Sequence, residues 1–452
     1  MMKRLFTHGC IALYLLFTTS LFAQETVTPS NALQQYLKKK DDTYGWQIRD
    51  SFTINDVKGY NLLLTSQKWH GYTWKHQLTI FVPQKIKYDA ALLFITGGSN
   101  KKDTEIPNWS GKDDRFAMGM SQIATANGAV VNVLRQVPNQ PIFDSLKEDA
   151  AISYTLHQFK EDGDYTWPLL FPMVKSAVHA MDAVQDFCNT ITGHKMNRFV
   201  VSGASKRGWT TWLTGANDPR VVAIGPMVID ILNMPVNLQH QIDAYGDYSV
   251  EIQDYVKLGI VQGMNAPGGK DIVTMIDPYS YRKTLTMPKM IFIGTNDPYW
   301  VIDNTKNYLK EIPGKNMIHY TPNAGHDLNN GITAFPALSA FFGIAAANGK
   351  YPEYTWTTAV KKKKVRIKVQ ASPDQLTGAS IWYASSKDMD FRDEKWQEKE
   401  AGYAPDGTVR VTEALPRSGF YSFYVELKYK NPNGGSYTVC TRAFMTNNKK
   451  IL

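Results

Sequence analysis

The sequence is poor in cysteine, with three in 452 residues. Cys10 lies in an amino-terminal leader, which leaves Cys188 and Cys440 in the remainder. Two cysteines cannot form a cysteine zinc site, and no His-Glu-x-x-His occurs, so neither a metal nor a cofactor is predicted. One disulfide is open to an exported chain. The pattern favours two unpaired buried thiols, because Cys188 falls in a helical pattern and Cys440 in a distant strand pattern.

Long apolar runs are also scarce. Residues 1–23 begin with Lys3 and Arg4, continue through the mostly apolar Ile11–Phe22 and end in Ala23. This is the pattern of a cleaved secretory signal, and its apolar core is shorter than the roughly 20 residues that span a bilayer. No later segment is long and apolar enough to serve as a stable membrane anchor. We therefore expect a secreted or periplasmic protein.

A strong excess of one charge is lacking as well, since the net charge is only +9. Without a recognisable reading module, nucleic acid is not an expected partner. The densest basic element is the run Lys361, Lys362, Lys363 and Lys364. We interpret it as a solvated linker, with weak binding to anionic surfaces as the open alternative.

The remaining sequence has a clear domain pattern. Continuous apolar runs alternate with helical patterns over residues 24–352, which predicts a mainly parallel sheet flanked by helices, the α/β class. An irregular stretch rich in proline and tryptophan predicts an inserted cap, with bounds of about 99–172. Short alternating strands over residues 360–452 predict a second, β-sandwich-like domain.

The most informative segment ends the apolar run 197–202 in Gly203-Ala204-Ser205, and a helical pattern follows. This is the strand, turn and helix of a nucleophile elbow, with Ser205 at its apex. The usual G-x-S-x-G motif has its second glycine two places after serine. Here Arg207 stands at that place, and the glycine follows at Gly208.

Two other interpretations of this segment compete with a nucleophilic serine. A serine between a strand and a helix can simply cap the helix, and this alternative stays open for Ser205. A phosphate loop would require Gly-Lys-Ser/Thr, whereas the chain has Gly208-Trp209-Thr210. The lysine that reaches phosphate is missing, which disfavours that reading.

A serine nucleophile needs a base and an acid, and in this architecture they follow it in the order acid, then histidine. His326 lies in a turn-rich loop and is the best base. His319 falls inside a strand pattern typical of a core histidine, and His240 has no acid in a suitable place before it. Asp297, in the loop after an apolar run, is the best acid. Asp230 is its substitute.

An oxyanion formed at Ser205 needs two donors. We expect the amide of Lys206 to supply one and the turn at Gly97 and Gly98 to supply the other, because glycine lets the backbone approach a ligand closely. The Lys206 ammonium is a further candidate for stabilising this oxyanion. Four tryptophans are candidates for pocket walls: Trp109, Trp167, Trp209 and Trp300.

Several motifs together resemble those of a known family. They are Gly203–Trp212, Asn217–Val221, Gly294–Trp300, Asn323–His326 and Pro107-Asn108-Trp109. In combination the chain resembles the PhoPQ-activated pathogenicity-related proteins, secreted proteins that are α/β-hydrolase-like, over most of residues 30–445. The resemblance implies an α/β-hydrolase fold and a Ser–Asp–His site at Ser205, Asp297 and His326. The elbow with a basic residue after serine is also similar to that of glucuronoyl esterases.

These observations predict an exported serine hydrolase that acts on a small-molecule or carbohydrate ester through an acyl-enzyme. An esterase is favoured over a peptidase, because the sequence shows no propeller or other substrate-sizing domain. The resemblance leaves a second function open, since some members of the family are discussed as signalling or virulence-associated proteins. In that case the chain is a secreted binding protein with the hydrolase fold and little or no catalysis.

Overall fold

A computed structural model describes residues 26–102 and 104–452. The expected signal, residues 1–23, lies outside the described residues. In chain order the elements of the first part are α1 (Ala32–Lys38), β1 (Gly45–Ile54), β2 (Val57–Trp69), β3 (Tyr72–Val82), β4 (Ala90–Ile95), α2 (Arg115–Asn127), β5 (Val130–Leu134), α3 (Glu148–Asp162), α4 (Leu170–Phe187), β6 (Arg198–Ala204), α5 (Lys206–Asn217), β7 (Val221–Met227), α6 (Met234–Tyr245), α7 (Gln253–Lys257), α8 (Pro267–Ile276), β8 (Lys289–Gly294), β9 (Asn316–Thr321) and α9 (Ala334–Ala346).

The later elements are almost all strands. They are β10 (Tyr354–Lys361), β11 (Lys364–Ala371), β12 (Leu376–Ser386), β13 (Gln397–Glu400), β14 (Thr408–Ala414), β15 (Phe420–Lys430), β16 (Ser436–Cys440) and β17 (Phe444–Thr446). No helix in the described ranges is long and apolar enough to cross a membrane.

A mixed sheet forms the centre of the molecule. Over the described residues its order is β1-β2-β3-β5-β4-β6-β7-β8-β9-β16-β15-β12-β13, with β17 paired to β15. The strands from β5 to β9 in this order run parallel to one another. β1, β2 and β3 form an antiparallel edge. The expected α/β architecture, a sheet flanked by helices, is confirmed.

The side chains of the central strands alternate between two apolar layers. In β4, Leu93 and Ile95 pack into one layer, whereas Leu92 and Phe94 pack into the other. Successive side chains of a strand point to opposite faces, and helices cover both. α4 and α5 lie on the first face, and α2 and α9 lie on the second. This double burial explains why the strands are continuous apolar runs in the sequence.

The bounds 99–172 expected for the insertion need correction. That range includes α2 and β5, and β5 is a strand of the central sheet between β3 and β4. The segment that leaves the sheet begins after Leu134 and contains α3. α3 contacts α7 and α8, so helices from a later part of the chain pack beside it.

The carboxyl-terminal strands form two layers that share a core with the rest of the molecule. β10, β11 and β14 make a separate three-stranded sheet, whereas β12, β13, β15 and β16 continue the central sheet. The junction is a bridge between Cys440 in β16 and Ile318 in β9. Ile367 of the small sheet and Val425 of the large one belong to the same apolar cluster as α9. The domain boundary near 360, which remains a prediction, therefore crosses a continuous sheet.

The lysine run forms a hairpin and not a linker. Lys361 ends β10, Lys364 begins β11, and the two residues are paired. Lys362 and Lys363 form the turn between them with φ values of 50° and 54°. Positive φ at both central residues is typical of a tight hairpin turn. The four exposed ammonium groups therefore lie at the tip of a β-hairpin.

Candidate active site

Ser205 lies at the sharp turn between β6 and α5. Its φ of 60° and ψ of −125° are strained for a residue with a side chain. Two glycines permit the turn, because a Cβ at Gly203 would lie 2.8 Å from the Ile95 carbonyl oxygen and one at Gly208 would lie 2.7 Å from that of Met227. The serine hydroxyl makes no capping hydrogen bond to the helix. The elbow geometry is therefore present, and the helix-cap interpretation does not describe this side chain.

Asp297 and His326 form a buried acid–base pair. The Nδ1 atom of His326 lies 2.9 Å and 3.1 Å from the two carboxylate oxygens of Asp297. The carboxylate is 1% exposed and the imidazole 24%. A carboxylate accepts the Nδ1 proton and so leaves Nε2 as the basic nitrogen of the neutral ring. Nε2 makes no hydrogen bond to any described residue.

The loops that carry the acid and the base follow neighbouring parallel strands. Gly294, the last residue of β8, has no room for a side chain, since a Cβ there would lie 2.4 Å from the Gly325 carbonyl oxygen. The amide of Asn296 donates to the carbonyl of Ala324 at 2.9 Å. Because the carboxyl ends of parallel strands meet at one edge of a sheet, this close packing brings Asp297 and His326 together.

A loop from the carboxyl-terminal strands fastens both of these segments. The Asn296 side-chain amide donates to the backbone carbonyls of residues 391, 392 and 394, at 3.4, 2.9 and 2.7 Å. Asn323, three residues before the histidine, pairs with the backbone of Trp396. Its amide donates at 3.0 Å and its carbonyl accepts at 2.8 Å. Residues 391–396 thus hold the acid loop and the base loop in fixed positions.

Ser205 and His326 are not hydrogen-bonded to each other in this structure. Tyr299 is close to both residues. Its ring stacks on the His326 imidazole, with ring centres 4.2 Å apart, and it also lines the cavity that contains Ser205. The structure therefore joins the predicted acid to the predicted base and places the predicted nucleophile on a neighbouring surface. Catalytic hydrogen bonds are often long in free enzymes and shorten when substrate binds.

Arg207, at the place of the usual glycine, ties the elbow to the start of α3 and to the segment before it. Its guanidinium donates to both carboxylate oxygens of Glu148, at 2.8 and 2.6 Å, and its Nε donates to the Val137 carbonyl. Burial raises the pKa of Glu148, but the hydrogen bonds and charge of Arg207 outweigh burial, so this pKa lies below its ordinary value. A bidentate pair of this kind fixes orientation as well as charge.

The same network reaches the expected oxyanion turn. A Cβ on Gly97 would lie 2.7 Å from the Arg207 guanidinium, so a larger residue there would have to displace this guanidinium. Gly98 has a φ of 136°, which side chains rarely adopt. Gln140 donates to the Gly98 carbonyl at 3.1 Å and to Glu148 at 2.7 Å. The turn is therefore held rigidly next to the elbow, and its role as an oxyanion donor stays a prediction.

The Lys206 ammonium is paired with a carboxylate. Its Nζ lies 2.5 Å from Asp149 and 5.6 Å from the centre of the Tyr299 ring. The Tyr255 hydroxyl donates to the same carboxylate at 2.9 Å. The charge of Lys206 is thus engaged by Asp149. The backbone amide of Lys206, in the first turn of α5, has no partner within the helix and can still bind an oxyanion.

The other titratable candidates have different roles. Asp230 accepts a hydrogen bond from the Tyr308 hydroxyl at 2.6 Å, and burial raises its pKa to about 8. The acid that contacts His326 is therefore Asp297, not Asp230. His319 is a buried core histidine bonded to Thr438. The His240 Nε2 lies 2.7 Å from a carboxylate oxygen of Asp303. This acid comes after the histidine in the sequence, whereas the order expected for a hydrolase places the acid before it.

A cavity of about 50 Å³ lies beside Ser205. Trp209 and Trp300 line it, as the sequence predicts, whereas Trp109 and Trp167 are not part of its wall. Trp167 instead stacks on His70 at 3.9 Å. Asp149, Tyr255 and Tyr299 also line the cavity. Sequence reasoning missed Asp149 and Tyr255 because α3 and α7 bring them from distant segments, and it missed Tyr299 although this residue lies two positions after Asp297.

Within the described residues, no group of three or more His, Cys, Asp or Glu side chains could hold a metal ion. Cys188 and Cys440 are both buried and free. Burial raises the pKa of the Cys188 thiol to about 12, which makes it a poor nucleophile.

The elements that carry these groups follow a recognisable order. The oxyanion turn follows β4, the serine follows β6, the acid follows β8 and the histidine follows β9. All four lie at the carboxyl ends of parallel strands. The chain order of serine, acid and histidine is that of α/β-hydrolases.

This chain is similar to several known proteins. Autocrine proliferation repressor protein A of Dictyostelium discoideum is 31% identical over 466 residues, which cover 94% of this chain and 92% of that protein. Among solved structures, acetyl xylan esterase 1 from Thermoanaerobacterium sp. is 16% identical with a TM-score of 0.48, covering 70% of this chain and 92% of that chain. The glucuronoyl esterase from Solibacter usitatus is 11% identical with a TM-score of 0.42, covering 71% and 91%. Residues 33–392 match the family described as PhoPQ-activated pathogenicity-related protein, and the chain belongs to that family.

Proposed function

We propose that this protein is an exported serine hydrolase that cleaves carboxylic esters through an acyl-enzyme. The observation that best supports the proposal is the buried His326–Asp297 pair beside a strained serine elbow. A serine hydroxyl is a weak nucleophile until a base removes its proton, and that base needs an acid to fix its tautomer. The three groups come from loops at one edge of the sheet.

In the proposed reaction, the Ser205 Oγ attacks the ester carbonyl carbon while His326 Nε2 takes the serine proton. Asp297 orients the ring and stabilises the imidazolium. The tetrahedral oxyanion binds the amide of Lys206 and the Gly97–Gly98 turn. Collapse expels the alcohol, which takes the proton from His326. Water then loses a proton to His326 and attacks the acyl carbon. When this second tetrahedral intermediate collapses, the carboxylic acid leaves and His326 returns the proton to the Ser205 Oγ.

An ester is preferred to a peptide as the substrate. Around the site, residues 26–102 and 104–452 form no propeller or comparable domain that would select a peptide by size. The residues that line the cavity come instead from helices and loops that pack close to Ser205. This arrangement suits a small ester that enters from solution.

The test is hydrolysis of a panel of aryl and alkyl esters by purified protein and its variants. Ser205→Ala is expected to lower kcat by a factor on the order of 10⁴ or more, and Asp297→Asn by about 10⁴. Ser202→Ala is the matched control, because Ser202 lies in β6, three residues before Ser205, but its hydroxyl binds the Gly225 carbonyl. Equal activity of Ser205→Ala and the wild type would exclude the proposal.

A secreted signalling protein without turnover is the second candidate. It is supported by the relative of 31% identity from Dictyostelium discoideum, whose name describes an autocrine proliferation repressor. In this case the exposed lysine hairpin at residues 361–364 is a candidate contact with anionic cell surfaces. A signalling effect that persists in Ser205→Ala, together with the absence of ester hydrolysis, would favour this function over the first.

A further inference from the structure

The cavity beside Ser205 presents mostly carbon atoms to a ligand. Its apolar wall comes from the segment after β7, from α6 and from the segment after α7, with Ile229, Ile231, Met234, Leu238, Val261 and Met264. These side chains are all buried. A site that hydrolyses a sugar ester would instead need free donors and acceptors at this position.

The polar atoms of the two tryptophans in the wall are used elsewhere. Trp209 donates its indole N–H to the carbonyl of Ile276 at 2.6 Å. Trp300 donates its own to the carbonyl of Val228 at 3.2 Å. Both indoles therefore offer a ligand only their ring surfaces.

The charged groups of the wall satisfy one another. Lys206 and Asp149 are 2.5 Å apart, and the same carboxylate accepts from the hydroxyls of Tyr255 at 2.9 Å and Tyr299 at 3.5 Å. A charged or hydroxylated ligand group would lose its hydrogen bonds to water here and find few replacements. An apolar group would gain free energy from burial.

The position of the base indicates which part of the ester enters the cavity. The histidine must reach the oxygen of the leaving alcohol to protonate it. Ser205 lines the cavity, whereas His326 is not among the described residues of its wall, since Tyr299 stands there instead. The alcohol therefore leaves on the side of the histidine, and the acyl group points into the cavity.

We propose that the acyl group transferred to Ser205 is uncharged and apolar. This inference rests on the proposed ester hydrolysis. Each methylene of the acyl chain that contacts this apolar wall is removed from water, which stabilises the bound substrate. The protein is then specific for the acyl chain and not for a sugar.

The first experiment compares two isomers, ethyl hexanoate and hexyl acetate, which have the same atoms and overall hydrophobicity. The structure predicts at least a tenfold higher kcat/KM for ethyl hexanoate. In the p-nitrophenyl series from acetate to hexanoate, kcat/KM should rise about threefold to fourfold per methylene. The p-nitrophenyl half ester of adipic acid, which adds a terminal carboxylate, should react at least 100-fold more slowly than the hexanoate.

The second experiment fills the cavity. Val261→Phe should lower the ratio of hexanoate to acetate kcat/KM at least tenfold. Val250→Phe is the matched control, since Val250 is 72% exposed and lies outside the wall, and it should leave the ratio unchanged.

The outcomes separate this inference from the function on which it rests. Ester hydrolysis that depends on Ser205 but prefers acetate, hexyl acetate or the adipate half ester would overturn the acyl assignment and leave the serine hydrolase intact. No hydrolysis of any ester by folded protein would overturn the proposed function, and the acyl assignment with it.

Discussion

Replacement of Asn296 by alanine tests whether the carboxyl-terminal strands hold the loops that carry Asp297 and His326. The Asn296 amide makes two good hydrogen bonds, to the carbonyls of residues 392 and 394, and a weaker one at 3.4 Å. At about 0.5–1.5 kcal/mol each, the two good bonds contribute about 1–3 kcal/mol to the free energy of unfolding. Since Asn296 directly precedes Asp297, their loss also releases the acid loop.

We expect Asn296→Ala to lower kcat by about 10- to 100-fold, because a shift of about 1 Å in a reacting group can cost that much. KM should change little, since Asn296 does not line the cavity. The assay is steady-state hydrolysis of a hexanoate ester, with urea unfolding of the same samples.

Asn316→Ala provides the control for this prediction. Asn316 also donates its amide to two backbone carbonyls, those of Ile312 at 2.6 Å and Leu309 at 3.3 Å, but it lies at the opposite end of β9. It should lose similar stability and keep the wild-type kcat. If Asn296→Ala lost as much stability as this control yet kept kcat within twofold of the wild type, the positioning argument would be refuted.

Further predictions concern the buried charges. Burial raises the pKa of Asp230 to about 8 from the ordinary 3.8, so the folded state keeps a proton that the unfolded state releases, and the stability this provides is complete below about pH 4 and lost as pH rises to about 8. Asp230→Asn does not titrate, so its Tm relative to the wild type should rise from pH 5 to pH 8; a constant difference would contradict the buried neutral acid. Lys206→Met leaves Asp149 without its cation and should lower the free energy of unfolding by about 3–5 kcal/mol; adding Asp149→Asn should restore most of it, and no restoration in urea unfolding would exclude this pairing. Arg207→Lys keeps the charge but loses the bidentate hydrogen bonds to Glu148, so the free energy of unfolding should fall by about 1–3 kcal/mol; unchanged urea unfolding would contradict this expectation.

The core of the site could be predicted from local sequence patterns. Ser205, Asp297 and His326 each follow an apolar run that is buried on both faces of the sheet, and the ends of neighbouring parallel strands must lie close together. The contact between Asp297 and His326 was predicted on this basis and is present. The elbow could be recognised because Gly203 and Gly208 occur where the backbone has no space for a side chain.

The support around the site could not be predicted in this way. Asp149 reaches Lys206 because α3 folds over the elbow, and Asn296 meets residues 391–396 because the later strands continue the central sheet. Neither contact leaves a periodic signal, since each joins segments more than 50 positions apart. Lys362 and Lys363 adopt positive φ against their usual preference, so composition alone suggested a linker.

The most direct test of the proposed chemistry is the reaction of the folded protein with a fluorophosphonate, followed by mass spectrometry of the digested product. The account predicts a single adduct on Ser205, none in Ser205→Ala, and a reaction at least about 100-fold slower in His326→Ala. Folded wild-type protein that forms no adduct, or an adduct on another serine, would contradict the assignment of Ser205 as the nucleophile.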